Sequence, residues 1–225
     1  MRVLASLAMS GLFLIGSAAA IDRAPDRIAL AYEIERKGDV VGHHEIRFTD
    51  RGNGISHIDI ETKIRVKFGF LTAFRLDHQA TEIWNGSHLD SMTSFTKRGR
   101  TEEHVSVRSR ESGFEVDVGS EVALAPSDLV PSSFTKPDFW IAHGERDFTL
   151  LDTLTGLMRP SVLLCGERGQ LRRDNLVHDV TYYSIRDLEN DRLSHEFWID
   201  DEGYLIEGLL HTKDGETLLY RMKAA

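Results

Sequence analysis

Cysteine is nearly absent from this chain of 225 residues: Cys165 stands alone. One thiol forms no intrachain disulfide, so no covalent staple holds the fold. An inert buried thiol, an intermolecular bridge and a reactive nucleophile are the readings left. The setting favours the first, because Cys165 follows Val162-Leu163-Leu164 and precedes Gly166-Glu167-Arg168-Gly169, as the last buried position of a strand would. Proline is scarce, with five residues, and three of them fall between Pro126 and Pro137. Positive charge is in deficit: 27 Lys and Arg face 36 Asp and Glu, a formal −9. That balance argues against nucleic acid as a partner and against passive adhesion to anionic lipid. No apolar run beyond residue 20 is long enough to cross a bilayer as a helix. Catalytic signatures are missing as well. Ser132-Ser133 lacks a GxSxG context, and none of the ten histidines has HxH or HExxH spacing. Neither a metal nor a cofactor is expected.

The first twenty residues read as a targeting segment. Arg2 supplies the positive start, Val3 to Ile15 the apolar run, and Ser17-Ala18-Ala19-Ala20 the small residues before a cut after Ala20. As a helix the run reaches roughly 20 Å, short of a hydrocarbon core of about 30 Å. The expectation is a signal peptide over 1–20 and a single β domain over 21–225, delivered to an oxidising compartment, the bacterial periplasm. Cleavage removes Arg2 and no acid, which lowers the net charge by one more. Cys165 is far from the cut, so neither a lipid-modified N-terminus nor stable membrane insertion after cleavage is expected.

What fills the rest is period two. From Ile58 to Phe70, the residues Ile58, Ile60, Thr62, Ile64, Val66, Phe68 and Phe70 share one face, and Asp59, Glu61, Lys63, Arg65 and Lys67 the other. Such alternation is a strand with one apolar and one wet face. At about 3.3 Å per residue it extends roughly 40 Å, a length suited to a strongly curved sheet or barrel wall. Leu30 to Glu35, Val40 to Phe48, Phe74 to Trp84, His88 to Thr96, Thr101 to Ser109, Phe114 to Gly119 and Ser120 to Ala125 continue the pattern. Pro160 to Cys165, Leu176 to Arg186, Arg192 to Ile199, Tyr204 to Thr212 and Thr217 to Lys223 resume it. Asn85-Gly86 is the strongest short hairpin signal, since both residues tolerate positive φ. Between the two runs, Pro126 to Trp140 interrupts the sheet, with Ser127-Asp128 as a helix cap and Asp138 to His143 as a short helix. The prediction is a mainly β fold: a long curved antiparallel sheet forming an incomplete barrel or spiral, with this segment as a helix or loop plug.

Three stretches carry a resemblance: Tyr32-Glu33-Ile34-Glu35-Arg36 with Gly38 and Gly42, Val66-Lys67-Phe68-Gly69-Phe70-Leu71-Thr72-Ala73-Phe74-Arg75, and Leu150-Leu151-Asp152-Thr153-Leu154-Thr155-Gly156. Together they resemble a family of secreted alphaproteobacterial proteins known only as a domain of unknown function. That family is distantly similar to curved-sheet envelope proteins of the LolA/LolB carrier type and to β-spiral envelope-integrity proteins. The resemblance implies a sheet wrapped around a plug with an apolar cavity. It transfers no catalytic residues, and the chain departs from the β-spiral proteins in having no cysteine pair.

Histidine phase and aromatics supply the candidate site. His44 shares a face with Ile46 and Phe48, His195 with Phe197 and Ile199, and His78 with Phe74, Leu76, Glu82 and Trp84. Such histidines orient a ligand head group, bind zinc or act as acid and base, or they are solvated or hydrogen-bonded near strand ends or the cavity rim. Asp152, Thr153, Thr155 and Gly156 either gate or line a pocket mouth or form a plain turn. Phe68, Phe70, Phe74 and Trp84 occupy one sheet face, and Phe134, Phe139 and Trp140 lie on the insertion. If the insertion folds over the concave face, these rings meet, as a closed core or as a greasy pocket. The expected site is therefore Phe68, Phe70, Phe74, His78, Glu82, Trp84, Phe134, Phe139 and Trp140, with His78 and Glu82 at the head group. The leading expectation is a periplasmic carrier or envelope-maintenance protein for an acyl chain or other apolar molecule. An envelope scaffold binding a protein partner, and an enzyme using the His78 and Glu82 pair, are the alternatives.

Overall fold

The computed structural model describes residues 27–68, 71–136, 138–141, 145–173 and 176–223. The first arm of the chain is a meander: β1 (Arg27–Arg36), β2 (Asp39–Asp50), β3 (Ile55–Phe68), β4 (Leu71–Asn85), β5 (His88–Arg98), β6 (Thr101–Arg110), β7 (Gly113–Asp117) and β8 (Val122–Ala125). Then come β9 (Leu129–Pro131), a one-turn helix α1 (Asp138–Ile141) and β10 (Arg146–Leu151). The return arm is β11 (Met158–Arg173), β12 (Leu176–Asp187), β13 (Arg192–Asp200), β14 (Leu205–His211) and β15 (Thr217–Met222).

All fifteen strands join one sheet in the order β8-β7-β6-β5-β4-β3-β2-β1-β15-β14-β13-β12-β11-β10-β9. The ladders are antiparallel except for β9 with β10. First and last strands pair in the middle, Tyr32 opposite Met222. The sheet curls into a nearly closed barrel, and β8 and β9 are the edges of its single unsealed seam. Side chains fill that seam instead of a ladder: Phe114, Val116 and Ala125 from one edge share a core cluster with Leu129 and Leu151 from the other. Burying each of the larger of these side chains, Phe114, Val116, Leu129 and Leu151, contributes about 1.5–3 kcal/mol. The turn after β10 laces the same gap. Ser94 Oγ donates to the Thr153 carbonyl at 2.6 Å. Gly156, at φ +76°, lies so near Val118 that a Cβ there would be 2.2 Å from its Cγ1.

The alternation over Ile58 to Phe70 is β3, and Ile58, Ile60 and Ile64 are buried on its inner face. Phe70 and His143 lie outside the described residues. Leu129–Pro131 corrects the reading of the proline-rich segment as wholly outside the sheet. It is a short strand, parallel to β10, and Pro131 is tolerated because it ends an edge strand. Ser127-Asp128 caps no helix; it sits in the turn where the Leu129 amide donates to the Pro126 carbonyl at 3.3 Å. Strand β10 was not expected, since six residues offer only Phe148 and Leu150 as an inward pair. Strand β11 runs on past Cys165 to Arg173, its polar second half held by the ladder to β12 across a register shift between Cys165 and Arg168. Cys165 is accordingly half-buried at that irregularity, and not the sealed end of a strand.

Ser132 to Lys136 and Asp138 to Ile141 form a plug in the lumen. Ser133 and Thr135 hydrogen-bond Glu82 on β4. On the far side, the Tyr183 hydroxyl donates to the Trp140 carbonyl at 2.6 Å. Phe134, Phe139 and Trp140 pack there with Phe148, Tyr183 and Phe197.

Candidate functional site

Strand register builds the most ordered feature of the lumen. Tyr32, His44, Thr62, His78 and Thr96 stand directly opposite one another on β1 to β5. Because directly opposed residues share a face, the five form a polar band across an apolar wall. His44 Nδ1 lies 2.8 Å from Thr62 Oγ1, and His78 Nδ1 lies 2.9 Å from Thr96 Oγ1. The His44 ring also meets Tyr32 and Tyr220, each with centroids 5.6 Å apart. Burial disfavours the imidazolium, which brings His44 down to about 4, with His78 nearby adding to the effect. His78 also falls to about 4 through burial, although Asp152 pulls the other way. His195 is lowered to about 3 by burial, then by His211, Arg192 and Arg159. Burial raises Tyr220 to about 12. At neutral pH the band is uncharged.

The band forms part of the wall of a cavity of about 560 Å³ that runs along the lumen. Ile46, Ile60, Ile64, Leu76 and Leu205 make its apolar wall, and Phe48 and Tyr204 close towards one end. The other end carries the β1–β2, β5–β6, β10–β11, β12–β13 and β14–β15 turns. There Phe74, Leu154 and Leu157 line the mouth with Arg98, Arg159, Arg192 and Lys213. Asp152 to Gly156 is a turn that also lines the pocket mouth. The Gly156 amide donates to the Asp152 carbonyl at 2.8 Å, and Asp152 to Thr155 contribute to the cavity wall.

The expected site residues separate into three groups. Phe74, His78, Phe134 and Trp140 line the cavity, and His78 is only 4% exposed. Trp84, Phe134 and Phe139 line a second, smaller pocket of about 240 Å³ beside the seam. Glu82 does not line the cavity: it is 0% exposed and sealed beneath the plug. There it accepts hydrogen bonds from Trp84 Nε1 at 2.8 Å, Thr135 Oγ1 at 2.6 Å and Ser133 Oγ. Burial raises its carboxyl above the usual range, while these three donors and Lys136 oppose the rise. Phe68 ends β3, and its side chain and Phe70 lie outside the described residues. The rings do not form one cluster, for a simple reason. Phe74 and Trp84 are ten residues apart on one strand, roughly 33 Å at about 3.3 Å per residue. Phe134, Phe139 and Trp140 do meet, with Phe139 to Trp140 at 4.8 Å and Phe134 to Phe197 at 5.1 Å between centroids.

Thr62 was legible as part of an inward face. Thr96, Arg98, Arg159 and Arg192 were not singled out, though Arg98 continues the inward phase of Met92, Ser94 and Thr96. Among the described residues no cluster of three or more His, Cys, Asp or Glu could hold a metal ion.

A family profile matches residues 32–223. The chain belongs to the family described as a domain of unknown function, DUF6134. No curated protein matches it. Among solved structures it is similar to a β-barrel-like protein of another domain of unknown function, DUF1849, from Brucella abortus. The two share 9% identity over 89% of this chain and 96% of that one, with a TM-score of 0.63, a likeness of fold. A LolA superfamily protein from Nitrosomonas europaea aligns at 10% identity over 91% of this chain and 86% of that one, with a TM-score of 0.22.

Proposed function

We propose that this protein is a periplasmic binding module that carries or senses an acyl chain or a similar apolar molecule in the lumen of its barrel. The observation that carries the reading is the cavity itself. At about 560 Å³ it falls within the roughly 300–1,000 Å³ of small-molecule sites, and its lining combines an apolar wall with a set of polar and charged side chains. A molecule entering it gains about 25 cal/mol for each Å² of apolar surface removed from water. The plug leaves this hollow open while its own rings pack against β12 and β13. An open interior favours a binding module over a scaffold with a filled barrel. The enzyme alternative loses its pair, because His78 is bonded to Thr96 and Glu82 to three donors beneath the plug. The N-terminal targeting pattern is the support for a periplasmic location.

Native mass spectrometry of protein purified from its own host tests the reading. The expected result is a co-purifying lipid, and uptake of a fluorescent fatty acid by the emptied protein. Recovery of bare protein in every preparation, with no uptake, overturns it.

A further inference from the structure

The mouth of the cavity runs against the charge of the whole chain. The formal net charge of the chain is −9. Yet Arg98 ends β5, Arg159 is the second residue of β11, Arg192 opens β13 and Lys213 lies in the β14–β15 turn. Alternating strand direction brings all four to the same end of the barrel, and all four line the cavity. Arg159 and Arg192 both act on the His195 ring inside it. Arg98, Arg159 and Lys213 form no ion pair among the described residues, and Arg192 donates to a carbonyl, that of His211, at 3.3 Å. The acids lining the cavity are fewer, and the buried Asp187, which stands opposite Arg192, accepts the Glu189 amide at 2.9 Å. Asp152 and Asp214 line the same end, and Asp152 accepts the Leu154 amide at 2.9 Å. Glu103 stands opposite Thr96, diagonal to Arg98, and its Oε2 has no hydrogen-bond partner.

Below these cations Ile64, Leu76, Ile46 and Leu205 make an apolar wall, crossed by the uncharged histidine and threonine band, with Ser132, Ser133, Thr135, Ser194 and His195 as further polar lining. Charge at the mouth and grease beneath it define one kind of guest. We infer that the cavity takes an anionic amphiphile, its alkyl tail down the lumen and its compact carboxylate or phosphate held by Arg98, Arg159 and Arg192 at the mouth. Guanidinium groups suit this role, because their planar donor forks match carboxylate and phosphate oxygens. The inference rests on the binding reading above and adds the head group and the direction of entry.

Three probes with one tail separate the possibilities: dodecanoate, dodecyl phosphate and dodecanol, titrated calorimetrically into the delipidated mature protein, with inorganic phosphate as a head without a tail. The expected result is binding of both anions, on the order of tenfold tighter than dodecanol, or about 1.4 kcal/mol. Inorganic phosphate alone is expected not to bind measurably. The preference should shrink as salt is raised, since part of it is electrostatic. Whichever anion binds tighter identifies the head as carboxylate or phosphate. Arg159→Gln and Arg192→Gln each lower the ratio of dodecanoate to dodecanol affinity, with melting temperature as the control for folding. Arg159→Gln keeps the test independent of the Arg192 contact to His211. Equal binding of all three tailed probes, with ratios unmoved in both variants, overturns the anionic head group and leaves an apolar carrier. Failure of all three to bind removes the carrier reading along with it.

Discussion

Thr135 on the plug donates its hydroxyl to Glu82 Oε2 on β4 at 2.6 Å, across 53 positions of sequence. With Ser133 it is the only polar tie, among the described residues, from this insertion to a buried acid of the wall. Three donors converge on the carboxylate, so its removal strands all of them. A buried group left unpaired costs about 1–3 kcal/mol. Glu82→Ala is therefore expected to destabilise the protein by about 3 kcal/mol or more in urea denaturation. Thr135→Val removes one donor and is expected to cost about 1 kcal/mol. Equal stability of Glu82→Ala and the parent would show that the plug is held by its rings alone.

Acid should weaken the fold through its histidines. His44, His78 and His195 are lowered to about 4, 4 and 3 by burial, whereas the unfolded chain protonates them near 6.5. Between these limits the unfolded state binds more protons, so stability falls as pH drops from about 6.5 towards 4. Glu82 acts in the opposite sense, because a carboxyl raised by burial is better kept in the fold when protonated. Denaturant midpoints measured from pH 7 to pH 4 should decline in the parent. They should decline less steeply in His78→Gln, whose amide keeps a partner for Thr96. An identical slope in that variant would remove His78 from the account.

The seam depends on Gly156. Its φ of +76° is costly for other residues, and a Cβ would come within 2.2 Å of Val118 Cγ1. Gly156→Ala is expected to cost about 1–3 kcal/mol. The loss should be local first, with faster amide exchange in the turn 152–157 and in β7. Unchanged exchange there would mean that the turn is not what holds the two edges together.

Tryptophan emission offers a direct view of the lumen. Trp140 borders the large cavity, Trp84 borders the smaller pocket, and Trp198 packs with Tyr182 at 5.3 Å between centroids. A guest in the lumen should shift the emission of Trp140. The signal should vanish in Trp140→Phe and survive in Trp84→Phe. Survival in Trp140→Phe would place the guest elsewhere. Trp140→Ala should also cost about 3–5 kcal/mol, as an aromatic lost from a packed cluster.

Much of the wall was legible one residue at a time. Ile58, Ile60, Thr62 and Ile64 face inward as their phase demands, and the Asn85-Gly86 signal falls at the β4–β5 hairpin, with Gly86 at φ +57°. Strands β9 and β10 escaped notice because three and six residues give too few alternations to separate a strand from a loop. The second half of β11 escaped because Gly166 to Arg173 is polar and is extended only by its partner β12. Glu82 was legible as inward-facing, but nothing along the chain says that two hydroxyls 51 and 53 residues away will cover it.

What the chain settles alone is which residues face in, which face out and where it turns, because side chains alternate along a strand and positive φ is a local property. Register and closure settle the rest. Only they bring His44, Thr62, His78 and Thr96 into one line, lay the plug across the lumen and gather Arg98, Arg159 and Arg192 at one rim. These neighbours are decided by hydrogen bonding between strands and by packing across a curved sheet. Both act over distances in sequence that no local pattern records.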